Sequence, residues 1–179
     1  MAGPATTGGD GVIFVLGGAR SGKSHYAESL ITALPRPWVY IATAELRDDE
    51  MAARIAEHKA RREGDWQTIE APHDLPEALS AAPNDATVMV DCLTLWLSNL
   101  MHIKAPLDEM TLKLEEALAA RYRPTVLVSN EVGLSIVPDN ALARRFRDAQ
   151  GILNQRIAAC SRQVVFMVAG LPLTVKETS

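Results

Sequence analysis

The stretch VIFVLGGARSGKSHYAE, residues 12–28, decides the fold, because an apolar run leads into a glycine-rich loop and then into a helical pattern. The loop satisfies G-x-x-x-x-G-K-[ST], and its small residues let backbone N–H groups turn inward around phosphate oxygens at a helix N-terminus. Lys23 is expected to reach the outer phosphates, and Ser24 to ligate Mg²⁺. The predicted phosphate-binding residues are Gly17, Gly18, Ala19, Arg20, Ser21, Gly22, Lys23 and Ser24.

Length and composition indicate one folded domain. The 179 residues are 47% hydrophobic and 22% charged, which excludes disordered, collagen-like and disulfide-scaffold classes. No repeat, low-complexity tract or linker divides the chain. We therefore predict a single domain over residues 1–179, in which residues 1–11 form a flexible lead-in.

Charge, cysteines and hydropathy limit the partners and the compartment. A formal net charge of −4 gives no global field for a polyanion, so we expect no nucleic-acid partner and only local phosphate binding. Cys92 and Cys160 do not make a disulfide framework, and we expect both to be buried thiols in a reducing compartment. No apolar run reaches the roughly 20 residues of a membrane span, and the N-terminus does not read as a signal peptide. The sequence therefore predicts a cytoplasmic protein without a membrane span.

Apolar runs rich in Val, Ile and aromatic residues predict strands that are covered on both faces, because they do not alternate. These runs lie at residues 12–16, 38–42, 87–91, 125–129 and 163–169. Segments with helical spacing lie at residues 22–33, 48–63, 93–101, 107–121 and 139–160. This alternation predicts an α/β, doubly wound, mostly parallel sheet with helices on both faces. Residues 66–72 and 171–176 are weaker strand candidates.

Two acidic residues follow predicted buried strands, where α/β folds gather their binding groups. Asp91 ends TVMVD and fits the metal-organising role of phosphate-loop enzymes, with a helix N-cap as the alternative. Glu131 in VLVSNEVG is predicted to contact the nucleotide site and to orient a nucleophile or water, with a surface loop carboxylate as the alternative. The chain has no G-x-G-x-x-G and no Asn-Lys-x-Asp. A dinucleotide oxidoreductase and a switch-type GTPase are thus disfavoured, and a small kinase or nucleotidyl transferase remains.

The segment MAARIAEHKARREGDW, residues 51–66, carries basic residues on one predicted helix face. A solvated charged face is one interpretation. The other is that His58 is a nucleophile towards phosphorus, because neighbouring guanidinium groups disfavour the imidazolium and screen the attacked phosphate. We expect these groups to contact the nucleotide, and they belong to Arg54, Arg61 and Arg62. The other histidines, His25, His73 and His102, are interpreted as structural.

Six pieces of the chain together match one known family. They are LGGARSGKS, VYIATAE, RIAEHKARR with Trp66 downstream, VDCLTLWLSNL, VSNEVGLSIVP and VAGLPLTVK. In these motifs the chain resembles the bifunctional adenosylcobinamide kinase/adenosylcobinamide-phosphate guanylyltransferases of cobalamin biosynthesis. The phosphate loop is shared by many enzymes, whereas its combination with Arg-Ile-x-x-His is much more specific. The resemblance implies a RecA-like P-loop NTPase fold and a homo-oligomer, since trimers are known in the family.

The resemblance also implies two reactions. The family phosphorylates the hydroxyl of the aminopropanol arm of adenosylcobinamide with ATP or GTP, and then transfers GMP from GTP to that phosphate through a guanylylated histidine. On this chain the histidine is His58, Lys23 and Ser24 become phosphate and metal contacts, and Asp91 becomes the Mg²⁺ organiser. One position departs from the family, since Arg61-Arg62-Glu63 stands where Arg-Arg-Pro is expected. Without the proline, φ at position 63 is no longer fixed, and this affects where the predicted helix ends more than it affects the chemistry.

The two reactions attack different phosphorus atoms of a triphosphate. Our hypothesis is one triphosphate site, with the His58 helix moving towards the inner phosphate for the second reaction. Two other functions stay open at this point. One is a simple small-molecule kinase in which His58 is merely solvated, and the other is a nucleotide-binding ATPase or GTPase module that changes its affinity for a partner.

Overall fold

A computed structural model describes residues 11–45 and 64–178 of the chain. The strands are β1 Val12–Gly17, β2 Trp38–Ala42, β3 Trp66–Glu70, β4 Thr87–Asp91, β5 Thr125–Asn130, β6 Gln163–Val168 and β7 Leu171–Glu177. The helices in this part of the chain are α1 Lys23–Thr32, α2 Leu75–Ala81, α3 Leu93–His102, α4 Leu107–Ala119 and α5 Ala141–Cys160.

The strands form one seven-stranded sheet in the order β3-β2-β4-β5-β1-β6-β7. All pairs are parallel except β6 with β7, which run antiparallel at one edge. The two weaker candidates, residues 66–72 and 171–176, are therefore confirmed as strands β3 and β7. Because β1 lies between β5 and β6, the loop that follows β1 emerges between neighbouring strands at the carboxyl edge of the sheet and not at either side of it.

Helices cover both faces of the sheet, as the non-alternating strands predicted. On one face, Ala27 and Ile31 of α1 pack against residues of β1, β4 and β5. On the other face, helices α2 to α5 contribute to a larger cluster that includes Leu79, Trp96 and Leu153. The predicted α/β doubly wound, mostly parallel architecture is thus confirmed.

Several details differ from the sequence predictions. Helix α2 was not predicted, because seven residues with a proline near the start show too little periodicity to be distinguished. The helix expected at 48–63 and residues 1–10 lie outside the described residues. Cys92 is buried as expected, but Cys160 is exposed, because it ends α5 on the solvent side. No helix in the described ranges combines the length and the apolarity that a membrane crossing requires.

Candidate active site

The phosphate loop turns tightly at its first glycine. A Cβ at Gly17 would lie 2.5 Å from Ser21 Oγ and 2.9 Å from the Met167 carbonyl oxygen, so a side chain there would collide with the loop and with β6. Gly22 has φ of 90° and is the N-cap of α1, a conformation that glycine adopts without steric cost. These two glycines let the chain turn tightly from β1 into α1, so that the loop leads directly to a helix N-terminus, where backbone N–H groups can bind an anion.

The amine of Lys23 lies inside this loop. Lys23 is 9% exposed, and its Nζ donates a hydrogen bond to the Gly18 carbonyl oxygen at 2.7 Å. Burial lowers the pKa of Lys23 below its ordinary value, whereas the negative charge of Asp91 acts in the opposite direction. The amine is therefore held near the loop and near a carboxylate, from which it can interact with phosphate oxygens.

Ser21 presents a buried polar atom without a partner. Its Oγ is inaccessible to solvent and makes no hydrogen bond with any residue that the structure describes. An unsatisfied buried hydroxyl costs free energy, and such groups in native proteins are commonly satisfied by a ligand or by water. In a loop that lines a cleft, this hydroxyl is suited to a phosphate oxygen.

Asp91 lies at the carboxyl end of β4, two strands from the phosphate loop. The Tyr40 hydroxyl donates to Asp91 Oδ2 at 3.2 Å. Helix α3 begins at Leu93 with Cys92 as its N-cap and without a side-chain cap, so the helix N-cap interpretation of Asp91 is wrong. The carboxylate instead contributes to the charge around Lys23.

Thr43, which follows β2, connects the ends of β2 and β4 by hydrogen bonds to Cys92. Its Oγ1 accepts from the Cys92 amide at 2.9 Å and donates to the Cys92 carbonyl oxygen at 2.7 Å. The Asn99 side chain donates to the Thr43 carbonyl oxygen at 2.8 Å. Burial and the charge of Asp91 raise the pKa of Cys92 to about 12, so this thiol stays protonated and is a poor nucleophile. Sequence reasoning did not find Thr43 or Asn99.

Glu131 follows β5 and lies beside the phosphate loop. Its amide donates to the Gly17 carbonyl oxygen at 3.1 Å, and its Oε1 accepts from the Gly133 amide at 2.6 Å. A cleft of about 500 Å³ opens between this segment, the phosphate loop and the end of β6. Its walls are formed by Gly18, Ala19, Arg20, Ser21, Glu131, Val132, Leu134, Ser135, Phe166, Met167, Val168 and Ala169. Glu131 is thus a cleft residue rather than a remote surface carboxylate.

The basic residues of the His58 segment lie outside the described residues, and so their predicted roles stay predictions. These residues are Arg54, His58, Arg61 and Arg62. Among the other histidines, His25 is exposed on α1 and His102 ends α3. His73 Nε2 lies 3.0 Å from Glu45 Oε1, so this residue forms an ion pair when its imidazole is protonated.

The donor set around Lys23 fits a magnesium ion that is bound together with nucleotide phosphates. Mg²⁺ prefers hard oxygen ligands and often takes only one or two from the protein, the rest being phosphates and waters. Ser24 in the first turn of α1 would offer a hydroxyl to such an ion, and Asp91 at the end of β4 would offer a carboxylate. Among the described residues no cluster of three or more acidic, histidine or cysteine side chains forms a metal cage.

Solved structures with similar folds include two proteins of Pyrococcus horikoshii. One, studied as project PH0250, has a TM-score of 0.59 at 8% identity, with 95% of this chain and 88% of that chain covered. The other is a KaiC-like protein with a TM-score of 0.52 at 17% identity, with 88% of this chain and 72% of that chain covered. These likenesses concern the fold and agree with the predicted RecA-like architecture.

Similarity in sequence identifies the family more specifically than similarity in fold does. The bifunctional adenosylcobalamin biosynthesis protein CobP of Pseudomonas aeruginosa is 47% identical over 165 residues, which are 90% of this chain and 95% of the relative. The CobU proteins of Salmonella typhimurium and Escherichia coli are 40% and 38% identical, and each match covers 92% of this chain and 99% of the relative. The sequence model of cobinamide kinase / cobinamide phosphate guanyltransferase matches residues 13–175. The chain therefore belongs to the cobinamide kinase / cobinamide phosphate guanyltransferase family.

Proposed function

We propose that this enzyme phosphorylates adenosylcobinamide with ATP or GTP and then transfers GMP from GTP to adenosylcobinamide phosphate. The products of the second reaction are adenosylcobinamide-GDP and pyrophosphate. The observation that carries the proposal is one cleft lined by residues 18–21 of the phosphate loop and by Glu131, in a chain that belongs to this family. The amine of Lys23 is bonded to the Gly18 carbonyl oxygen of the same loop.

In the first reaction the substrate hydroxyl attacks the outermost phosphorus of the triphosphate, and the nucleoside diphosphate leaves. The loop amides and Lys23 hold the phosphates and compensate the charge that develops on their oxygens. Glu131, at the edge of the cleft, orients the attacking hydroxyl and accepts its proton. A Mg²⁺ ion held by Ser24 and Asp91 would neutralise phosphate charge, and this ion is part of the proposal.

In the second reaction we assign the nucleophile to His58. An imidazole nitrogen attacks the innermost phosphorus of GTP, the bond to pyrophosphate breaks, and a phosphoramidate with GMP forms. The phosphate of the corrinoid then attacks the same phosphorus and releases the imidazole. Arg54, Arg61 and Arg62 would compensate the phosphate charge during both steps. The support is the Arg-Ile-x-x-His segment within the family match, which extends over residues 13–175.

We propose that one triphosphate site serves both reactions. The described residues contain a single G-x-x-x-x-G-K-[ST] loop, and residues 18–21 of that loop line a cleft of about 500 Å³. The His58 segment would have to reach the inner phosphate of a nucleotide held there. Two molecules of GTP bound simultaneously at separated sites would refute this part of the proposal.

The proposal also covers where the corrinoid binds and how many copies of the chain assemble. The cleft has apolar walls at Val132, Leu134 and Phe166, which suit the non-polar surface of a large ring system. Leu134 and Ile136 after β5 and Leu171 and Leu173 on β7 are exposed, and exposed apolar side chains of this kind are consistent with an interaction surface. We propose a homo-oligomer, with a trimer as the expected form. Light scattering after gel filtration should give the mass of three 19.4 kDa chains, and a monomer would contradict it.

A coupled product assay tests the function. Purified protein with Mg²⁺, ATP and adenosylcobinamide should yield adenosylcobinamide phosphate, and addition of α-labelled GTP should move the label into adenosylcobinamide-GDP. Phosphorylation without label transfer would indicate a simple kinase. Nucleotide hydrolysis that is indifferent to the corrinoid would contradict both activities.

A further inference from the structure

A closed ring of hydrogen bonds lies beneath the end of β5. The Asn130 amide donates to Thr94 Oγ1 at 2.8 Å, and Ser129 Oγ donates to Asn154 Oδ1 at 2.8 Å. Because the hydrogen of Ser129 is used there, the Thr94 hydroxyl is the donor in its 3.3 Å contact with Ser129 Oγ. Asn154 Nδ2 then donates to the Asn130 carbonyl oxygen at 3.1 Å. The ring begins and ends at the two peptide groups of Asn130.

The side chains of the ring are buried between the sheet and two helices. Thr94 on α3 is 7% exposed, Ser129 on β5 is 0% exposed and Asn154 on α5 is 6% exposed. Gln150, also fully buried, donates from Nε2 to both Ser129 Oγ and Asn154 Oδ1. Apolar side chains could fill this space, and polar groups there are costly unless their geometry is maintained. The ring therefore fixes direction and position in a way that an apolar contact would not.

The ring is one residue from the cleft. Asn130 is aligned with Gly17 in the sheet register, and the next amide, that of Glu131, donates to the Gly17 carbonyl oxygen at 3.1 Å. A shift of the Asn130 peptide would consequently move the Glu131 carboxylate relative to the phosphate loop.

We propose that Thr94 and Asn154 are positioning residues, which act through Asn130 to hold Glu131 where it orients the attacking hydroxyl. This inference rests on the proposed function, because the work of Glu131 in phosphoryl transfer is part of that proposal. None of the side chains of the ring lines the cleft. Thr94 on α3 bonds the amide of Asn130, and Asn154 on α5 bonds its carbonyl oxygen. The end of β5 is therefore held by two helices as well as by its neighbouring strands.

The test is the kinase turnover of Thr94→Val, which removes one hydroxyl at nearly constant volume. We expect kcat to fall about 10- to 100-fold, because small displacements of a catalytic group have effects of this size. The KM for ATP should change by less than about twofold, since the loop that binds the triphosphate is untouched. Thr94→Ser keeps the hydroxyl and should retain most of the activity. Thr111→Val is the matched control, because Thr111 is 6% exposed and its hydroxyl bonds within α4, away from the cleft.

A double-mutant cycle shows whether the effect runs through Glu131. In the Glu131→Gln background, Thr94→Val should lower kcat by less than about twofold further, since the positioned group is already gone. An equal fall in both backgrounds would show general damage and overturn the inference. Ser129→Ala removes the bonds of Ser129 Oγ to Thr94 and Asn154 but leaves both bonds to Asn130. This variant keeps the test valid if Thr94→Val does not fold. It should lower kcat by a smaller factor, again only when Glu131 is present.

The outcomes separate this inference from the proposed function. If the wild-type enzyme phosphorylates adenosylcobinamide and Thr94→Val is equally active, the inference is wrong and the proposed function stands. If the wild-type enzyme transfers no phosphate to adenosylcobinamide, the proposed function is wrong and the inference falls with it.

Discussion

The phosphate loop and the ends of β4 and β5 lie at the same edge of the sheet but are built in different ways. The loop is eight consecutive residues, and its binding groups are mainly backbone amides whose direction is set by Gly17 and Gly22. The strand ends are instead connected by side chains far apart in sequence, such as Thr43 with Cys92, which are 49 residues apart. A local motif therefore specifies the first region, whereas tertiary packing specifies the second.

The difference determines how each region responds to substitution. Only a proline substitution removes a backbone donor, so the loop is otherwise sensitive mainly to changes of shape and to loss of Lys23. The strand ends depend on single hydroxyl and amide groups, each of which can be removed alone. Four substitutions, ordered by expected effect, separate the two kinds of construction.

Lys23→Ala should have the largest effect. Both reactions need the triphosphate held and its charge compensated, so we expect kcat/KM for each to fall about 10³-fold, roughly 4 kcal/mol of transition-state stabilisation. The thermal midpoint should be unchanged or higher, because a buried amine with a lowered pKa is removed. Steady-state kinetics of both reactions measure this, and unchanged turnover would rule out the role of Lys23.

Gly17→Ala tests the shape of the loop. The added methyl would lie within 3 Å of Ser21 Oγ and the Met167 carbonyl oxygen, so we expect a loss of up to about 3 kcal/mol in the free energy of unfolding, together with weaker nucleotide binding. Gly151→Ala is the control, because Gly151 is within α5 and, apart from the adjacent helix backbone, no atom of the described residues lies within 4 Å of the added methyl. It should stabilise the protein by about 0.5–1 kcal/mol. Chemical denaturation measures the free energy of unfolding of both variants. Equal stabilities of Gly17→Ala and Gly151→Ala would show that the loop tolerates a side chain.

Thr43→Val tests the strand ends. It leaves the Cys92 amide and carbonyl without their side-chain partner, so we expect the free energy of unfolding to fall by about 2 kcal/mol. Thr125→Val is the matched control, since the Thr125 hydroxyl is buried and has no hydrogen-bond partner in the described part of the chain. That variant should be neutral or more stable. Urea denaturation distinguishes the two, and equal losses would contradict the role of Thr43.

Ser21→Ala, in the phosphate loop, should have the smallest effect of the four substitutions. The free protein should be as stable as the wild type or slightly more so, because a buried hydroxyl without a described partner is removed. Nucleotide affinity should fall about two- to tenfold, the worth of one hydrogen bond. Calorimetric titration with ATP measures the change. An unaltered affinity would mean that this hydroxyl is not used by the ligand.

Much of the fold could be predicted because its signals are local. The apolar runs located the strands, and the phosphate-loop pattern located the turn between β1 and α1. Helix α2 was missed because seven residues carry little periodic signal, although Leu75 and Leu79 are fully buried in the core. The expectation for Cys160 was wrong because hydrophobic character alone does not reveal which side of a helix end faces solvent.

The candidate site was predictable only in part. Lys23, Asp91 and Glu131 could be placed at one edge, because the carboxyl ends of parallel strands meet there. Thr43, Thr94 and Asn154 could not, since a buried threonine or asparagine has no sequence signature that names its distant partner. The roles predicted for His58 and its arginines stay predictions, because those residues lie outside the described ranges.

The central claim is that one imidazole receives GMP from a triphosphate held by the phosphate loop. Intact-protein and peptide mass spectrometry after incubation with GTP and Mg²⁺ tests it most directly. We predict addition of one GMP to the wild type, located on His58 and labile to acid, and no addition to His58→Ala, which should retain kinase activity. A GMP adduct that is still formed by His58→Ala, stable to base and labile to acid, would contradict the claim.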